Sequence, residues 1–158
     1  TLEISVLILF LVAASNFFGA VFSRLGTPLM LTEFLLSWDL SVTTVLIIIM
    51  AWICLLGWPL EWVPIVLIIV PILIPVLVEM NVNLTWFGIL VAVNLQTAWL
   101  SPPVALSAYF LKGVVPEWDL KDIYFGMMQF MVIQLIGLTL IFMFPEIALW
   151  LPEYIYGK

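Results

Sequence analysis

Asn94, Gln96, Thr97 and Ser101 bring four side-chain oxygens together within a short stretch that runs straight into Pro102 and Pro103. Neither proline has a backbone N–H, and each ring clashes with the preceding helical turn. Pro102 also drives the residue before it out of the helical region, so Ser101 is expected to be non-helical. The 86–111 run that contains this stretch is apolar and long enough to cross a bilayer. Two half-helices meeting at an unwound segment are therefore expected. Carbonyls exposed at that depth need protein, water or an ion as partner. Broken helices of this kind build ion and substrate sites in membrane transporters. The same residues are also compatible with a kinked helix whose freed carbonyls are satisfied by neighbouring helices.

The composition says what surrounds this stretch. Hydrophobic residues make up 66% of the 158 and charged residues 9%. A soluble domain is nearer half apolar and a quarter charged, so this is an integral membrane protein. The net charge of −6 leaves no basic surface for nucleic acid. With no His, no nucleophile, base and orienting group can be assembled, and no phosphate-binding glycine loop is present, so the chain is not read as an enzyme. One cysteine, Cys54, excludes a disulfide framework or zinc site within the chain and reads as a small buried hydrophobe.

The elements follow in order. Residues 4–22 form a first span, and no basic segment precedes it, so it is not read as a signal peptide. Asn16 within it is expected to bond across to a neighbouring helix. Residues 28–39 are too short to cross and read as an interfacial or connecting helix. Residues 41–79 comprise two short apolar arms around Gly57-Trp58-Pro59-Leu60-Glu61. Either both arms cross, or they form a re-entrant hairpin with its tip at membrane depth, and spacing leaves both open. Pro64, Pro71 and Pro75 are separated by seven and four residues and are expected to share roughly one face of a bent arm. Asn83 or Thr85 caps the broken span at 86–111, and Gly88 is expected to allow close packing. Asp119 and Asp122 mark the start of the last span, 121–145, in which Gly137 is expected at a helix contact. Residues 146–158, with Trp150, Tyr154 and Tyr156, read as an interfacial tail. Lys112 and Lys121 flank one loop while Arg24 and Lys158 mark the other side, so charge does not decide orientation.

Several motifs carry a resemblance. They are Leu56-Gly57-Trp58-Pro59-Leu60-Glu61, Val70-Pro71-Ile72-Leu73-Ile74-Pro75, Phe87-Gly88-Ile89, Asn94-Leu95-Gln96 leading into Ser101-Pro102-Pro103-Val104-Ala105, and the tail Phe144-Pro145-Glu146-Ile147-Ala148-Leu149-Trp150-Leu151-Pro152. In this order, and over nearly the whole chain, the sequence resembles the C-terminal part of the large membrane (DctM-like) subunit of tripartite ATP-independent periplasmic (TRAP) transporters. The resemblance implies an all-α membrane fold of about three transmembrane helices plus a re-entrant helical hairpin, with one helix broken at Ser-Pro-Pro. It implies that hairpin tip and break face each other and form one sodium-binding half of a transport site. By carry-over, Gly57, Glu61, Asn94, Thr97, Ser101 and Pro102 line that site, with sodium as the coupling ion and no other cofactor. The implied function is elevator-type, sodium-driven uptake of a carboxylate across the bacterial inner membrane. The implied partners are the remaining half of the permease, a small membrane subunit and a periplasmic substrate-binding protein, with Lys112 to Lys121 cytoplasmic and the C-terminus periplasmic. The chain departs from the family pattern in three ways. Ser101 stands where Thr is frequent, Ala98 and Ala105 stand where Gly is usual, and Glu61 stands where Asp is common. Because only one hairpin and one broken helix are present, a second reading stands beside the first: a transport-inactive half-permease serving as a structural subunit of a larger membrane complex, respiratory or photosynthetic.

Overall fold

The computed structural model of the protein describes residues 2–60, 62–102 and 105–157. Among them all regular structure is helical. The chain divides into two compact units, residues 1–46 with 62–82, and residues 47–61 with 83–158.

In the first unit, α1 (Leu2–Arg24) and α2 (Thr27–Leu36) are joined at Gly26 and bent by 64°. Gly26 has φ 72°, a left-handed conformation that glycine adopts without steric cost. Pro28 sits in the first turn of α2, where its missing N–H costs nothing, and its carbonyl accepts from the Thr32 hydroxyl at 2.8 Å. The remaining helix of this unit runs over Trp62–Glu79 and is apolar and long enough to cross a membrane. It consists of α4 (Trp62–Pro64), a π-helical turn at Ile65–Ile69 and α5 (Val70–Glu79). In a regular α-helix the Pro71 ring would collide with the Leu67 carbonyl. The wider π turn opens the ladder just ahead of it, and Val70 N–H donates to the Ile65 carbonyl instead. α1 packs on the π turn and α5, and α2 packs on α5.

The second unit takes the Ile47–Gly57 part of α3 (Val42–Gly57) together with α6 (Leu84–Leu100), α7 (Leu106–Val114), α8 (Leu120–Met143) and α9 (Glu146–Tyr156). Asn83 caps α6 by accepting from the Thr85 and Trp86 N–H groups, at 2.9 and 3.1 Å. Asp119 caps α8 by accepting from Lys121 N–H at 3.0 Å. Two polar ties lock α6 to α8. Trp86 Nε1 donates to the Ile141 carbonyl at 3.0 Å, and Gln134 Nε2 donates to the Val93 carbonyl at 3.0 Å and to Gln96 Oε1 at 2.8 Å. α7 seats on α8 through a buried cluster of Ala105, Ala108, Ile123 and Met127. The 24-residue α8 is the longest membrane-crossing candidate. The protein is an all-α membrane protein.

Four expectations change. Asn16 Nδ2 donates to Val12 O of its own helix at 2.9 Å, not across to another helix, because an i−4 carbonyl is the nearest acceptor. A Cβ added at Gly88 or Gly137 meets nothing within 4 Å, so neither glycine marks a close helix approach. Pro71 and Pro75 line one groove, but the π turn lies between them and Pro64 and rotates Pro64 off their face by about 100°.

Candidate functional site

α6 ends where the sequence places its break. Ser101 is extended, with φ −91° and ψ 133°, and α7 resumes at Leu106. Asn94, Thr97 and Ser101 fall at i, i+3 and i+7, so one face of α6 carries all three into the interior. Each is 1% exposed.

The Asn94 amide is oriented by its neighbour on α3. Its Nδ2 donates to the Met50 carbonyl at 2.8 Å, and only the nitrogen end can face a carbonyl. That leaves Oδ1 buried and without a hydrogen-bond partner among the described residues. Thr97 donates its hydroxyl hydrogen to the Asn94 carbonyl at 2.7 Å. A hydroxyl has one hydrogen, so in the 3.8 Å contact between Cys54 Sγ and Thr97 Oγ1 the thiol is the donor. The backbone of Ser101 is fully used: its N–H donates to the Thr97 carbonyl and its carbonyl accepts from Ala105 N–H, both at 3.0 Å. Its buried Oγ has no partner among the described residues. Because Pro102 and Pro103 carry no N–H, the Ala98 and Trp99 carbonyls lack the donors a continuing helix would bring. The α6 C-terminus adds the negative end of the helix dipole, about half a charge. The two buried side-chain atoms left without partners among the described residues, Asn94 Oδ1 and Ser101 Oγ, are both oxygens with lone pairs to offer.

The end of α3 closes against this face. A Cβ built on Gly57 would lie 3.1 Å from the Ala98 Cβ, tighter than ordinary van der Waals contact. Gly57, Asn94, Thr97 and Ser101 are thus brought together. Pro102 is exposed in a turn, so its part is the donor it lacks. Glu61 lies outside the described residues. Gln96 is turned away and spent on Gln134. The sequence reading missed that Cys54 is half-buried and faces Thr97, and that Met50 supplies the carbonyl orienting Asn94. The i, i+4 spacing of Met50 and Cys54 on α3 is the signal that pairs them.

The profile of the DctM component of the tripartite ATP-independent periplasmic transporters matches residues 1–147. The chain belongs to this family. It is 28% identical to a putative TRAP transporter large permease protein of Haemophilus influenzae over 94% of its length. It is 28% identical to the C4-dicarboxylate TRAP transporter large permease protein DctM of Rhodobacter capsulatus over 96% of its length. It is 27% identical to the sialic acid TRAP transporter large permease protein SiaM of Vibrio cholerae over 99% of its length. The matches cover 37%, 34% and 36% of those relatives, so the chain spans about a third of each. By name these relatives are TRAP transporter large permease proteins.

Proposed function

We propose that this chain supplies one cation-binding half of a TRAP large permease, in the bacterial inner membrane, that couples sodium entry to uptake of an organic carboxylate. The carrying observation is the pair of buried oxygens without a partner among the described residues, Asn94 Oδ1 and Ser101 Oγ, where α6 ends. Hard cations take oxygen ligands, and a set of neutral oxygens suits a monovalent ion that must also leave. Asn94, Thr97 and Ser101 would hold the ion by their oxygens, and Gly57 would let the tip of a re-entrant hairpin at 41–79 come close enough to cover it. The bound ion supplies positive charge to the site when present. The residues themselves fix the oxygens and exclude lipid. By family analogy, the carboxylate arrives from a periplasmic binding protein, a small membrane subunit and the rest of the permease complete the assembly, the transport domain moves as an elevator, and the C-terminus is periplasmic.

The test is sodium-dependent uptake by the full-length permease reconstituted in vesicles. Ser101→Ala should raise the sodium concentration for half-maximal uptake by about tenfold, the equivalent of one lost ligand contact of ~1.4 kcal/mol. Unchanged sodium dependence would overturn the assignment of Ser101.

A further inference from the structure

Thr32 and Thr139 return their hydroxyls to the carbonyl four residues back, each at 2.8 Å, the usual recourse of a hydroxyl on a helix. Ser15 does not. It lies on α1, is 8% exposed, and its hydroxyl has no hydrogen-bond partner among the described residues. A hydroxyl buried in that way is costly unless something bonds it. Ser15 lines a groove of about 510 Å3 bounded by α1, the start of α2 and the Trp62–Glu79 helix. Small-molecule pockets occupy about 300–1,000 Å3. Gly19 and Ser23 follow Ser15 at i+4 and i+8, so small side chains floor the groove. A Cβ added at Gly19 meets nothing within 4 Å, so the space above that floor is open. Asn16 spends its Nδ2 on the Val12 carbonyl, which leaves its Oδ1 to accept. On the facing wall Pro75, inside α5, brings no N–H to the Pro71 carbonyl. No charged side chain among the described residues lines the groove.

We infer that this groove binds an uncharged lipophilic alcohol, with the ligand hydroxyl on Ser15 and its apolar body along Leu29, Leu67 and Ile72. Ser15 offers one hydrogen and its lone pairs, while Asn16 Oδ1 and the Pro71 carbonyl only accept. A hydroxyl is the simplest head group that meets both needs, since it accepts from one neighbour and donates to another. An ether or a ketone could not donate to either acceptor. An ammonium or a carboxylate would enter without a counter-charge. A plain acyl chain would leave the Ser15 hydroxyl unpaired. Leu67 belongs to the π turn, so the bound alcohol touches both α1 and that turn. The groove shares no residue with the proposed sodium site, and the two assignments stand or fall separately.

The experiment photolabels the purified, detergent-solubilised protein with a diazirine-bearing octanol and, in parallel, with the matching diazirine alkane. Adducts are mapped by peptide mass spectrometry. The alcohol should label residues 15–23 and the facing 67–75 stretch, and excess octanol should displace it. The alkane should label the same stretches about fivefold less, the worth of one net hydrogen bond. Ser15→Ala should bring the alcohol down to the alkane's level. Gly19→Leu should fill the open space and remove the labelling. Equal labelling by alcohol and alkane, unmoved by Ser15→Ala, would mean that the groove takes lipid chains and would overturn the proposal. Adducts confined to other segments, or alcohol labelling that survives Gly19→Leu, would place the alcohol elsewhere and overturn it too. Should Gly19→Leu fold poorly, the alcohol-to-alkane ratio in the wild type and in Ser15→Ala decides alone.

Discussion

The Ser101 hydroxyl is buried at the end of α6 while its own backbone groups are fully bonded. Leaving such an oxygen unpaired costs about 1–3 kcal/mol. Ser101→Ala should therefore raise the sodium-free melting temperature in a thermal-shift assay while shrinking the further rise that sodium produces. A fall in the sodium-free value would mean the hydroxyl already has a stabilising partner. Ala105 poses a second residue-level question, since it sits at φ 21°. Gly would relieve strain of about 1–2 kcal/mol there, but it also loses a buried methyl and gains unfolded-state freedom, so Ala105→Gly should be nearly neutral. Ala108, equally buried but helical, has no strain to relieve, and Ala108→Gly should cost about 2 kcal/mol in chemical denaturation. At this scale the sequence was informative about oxygens on α6, because Asn94, Thr97 and Ser101 share one face by helical period alone. It was silent about Cys54, because its contact with Thr97 depends on how α3 and α6 are aligned, which no local pattern encodes.

Some helix contacts among the described residues rest on a small or a polar side chain. The Gly57–Ala98 approach is the tightest of the glycine contacts among the described residues. Gly57→Ala should destabilise by about 1–3 kcal/mol through overpacking. Adding Ala98→Gly in the same molecule should restore most of the loss, and a double-mutant cycle in denaturant reads the coupling. Additive effects would show that the two positions do not touch. Gln134→Leu removes both bonds from α8 to α6 and should cost about 0.6–2 kcal/mol. Helix ends were legible: Asn83 and Asp119 are caps whose chemistry is written in their residue type, and Ser-Pro-Pro dictated the break. The glycines misled. Gly88 and Gly137 have space around them, since a glycine permits close approach without requiring it.

About half of the large apolar side chains among the described residues are exposed, as a solvent of lipid allows. α8 shows this along its whole length, with Phe125, Phe130, Ile133 and Ile136 all turned outward. Ile136→Lys, within this span, should cut membrane insertion in a glycosylation-tag assay by an amount equivalent to about 2.5–3.5 kcal/mol, while full insertion would mean α8 does not span. Membrane class and the all-α fold were legible from composition and run length. The bend between α1 and α2 falls between the 4–22 span and the separate 28–39 helix that the sequence predicts. The π turn was not, because prolines announce a disturbed ladder and leave open how it is repaired.

That turn has a consequence for chain length. A π turn stores one residue more than an α-helix needs between the same two ends. Ile65–Ile69 is therefore a slack loop of one residue wound into the wall of a helix. Deleting a single residue there would rewind the segment toward regular α geometry, not tear the helix apart. It would leave everything before Ile65 in nearly its present rotation relative to Pro71 and Pro75, because the wider turn already holds the extra residue without moving its ends. The helix can thus absorb a unit change in its own length without turning its ends, a tolerance that an unbroken ladder of α-helical bonds does not offer.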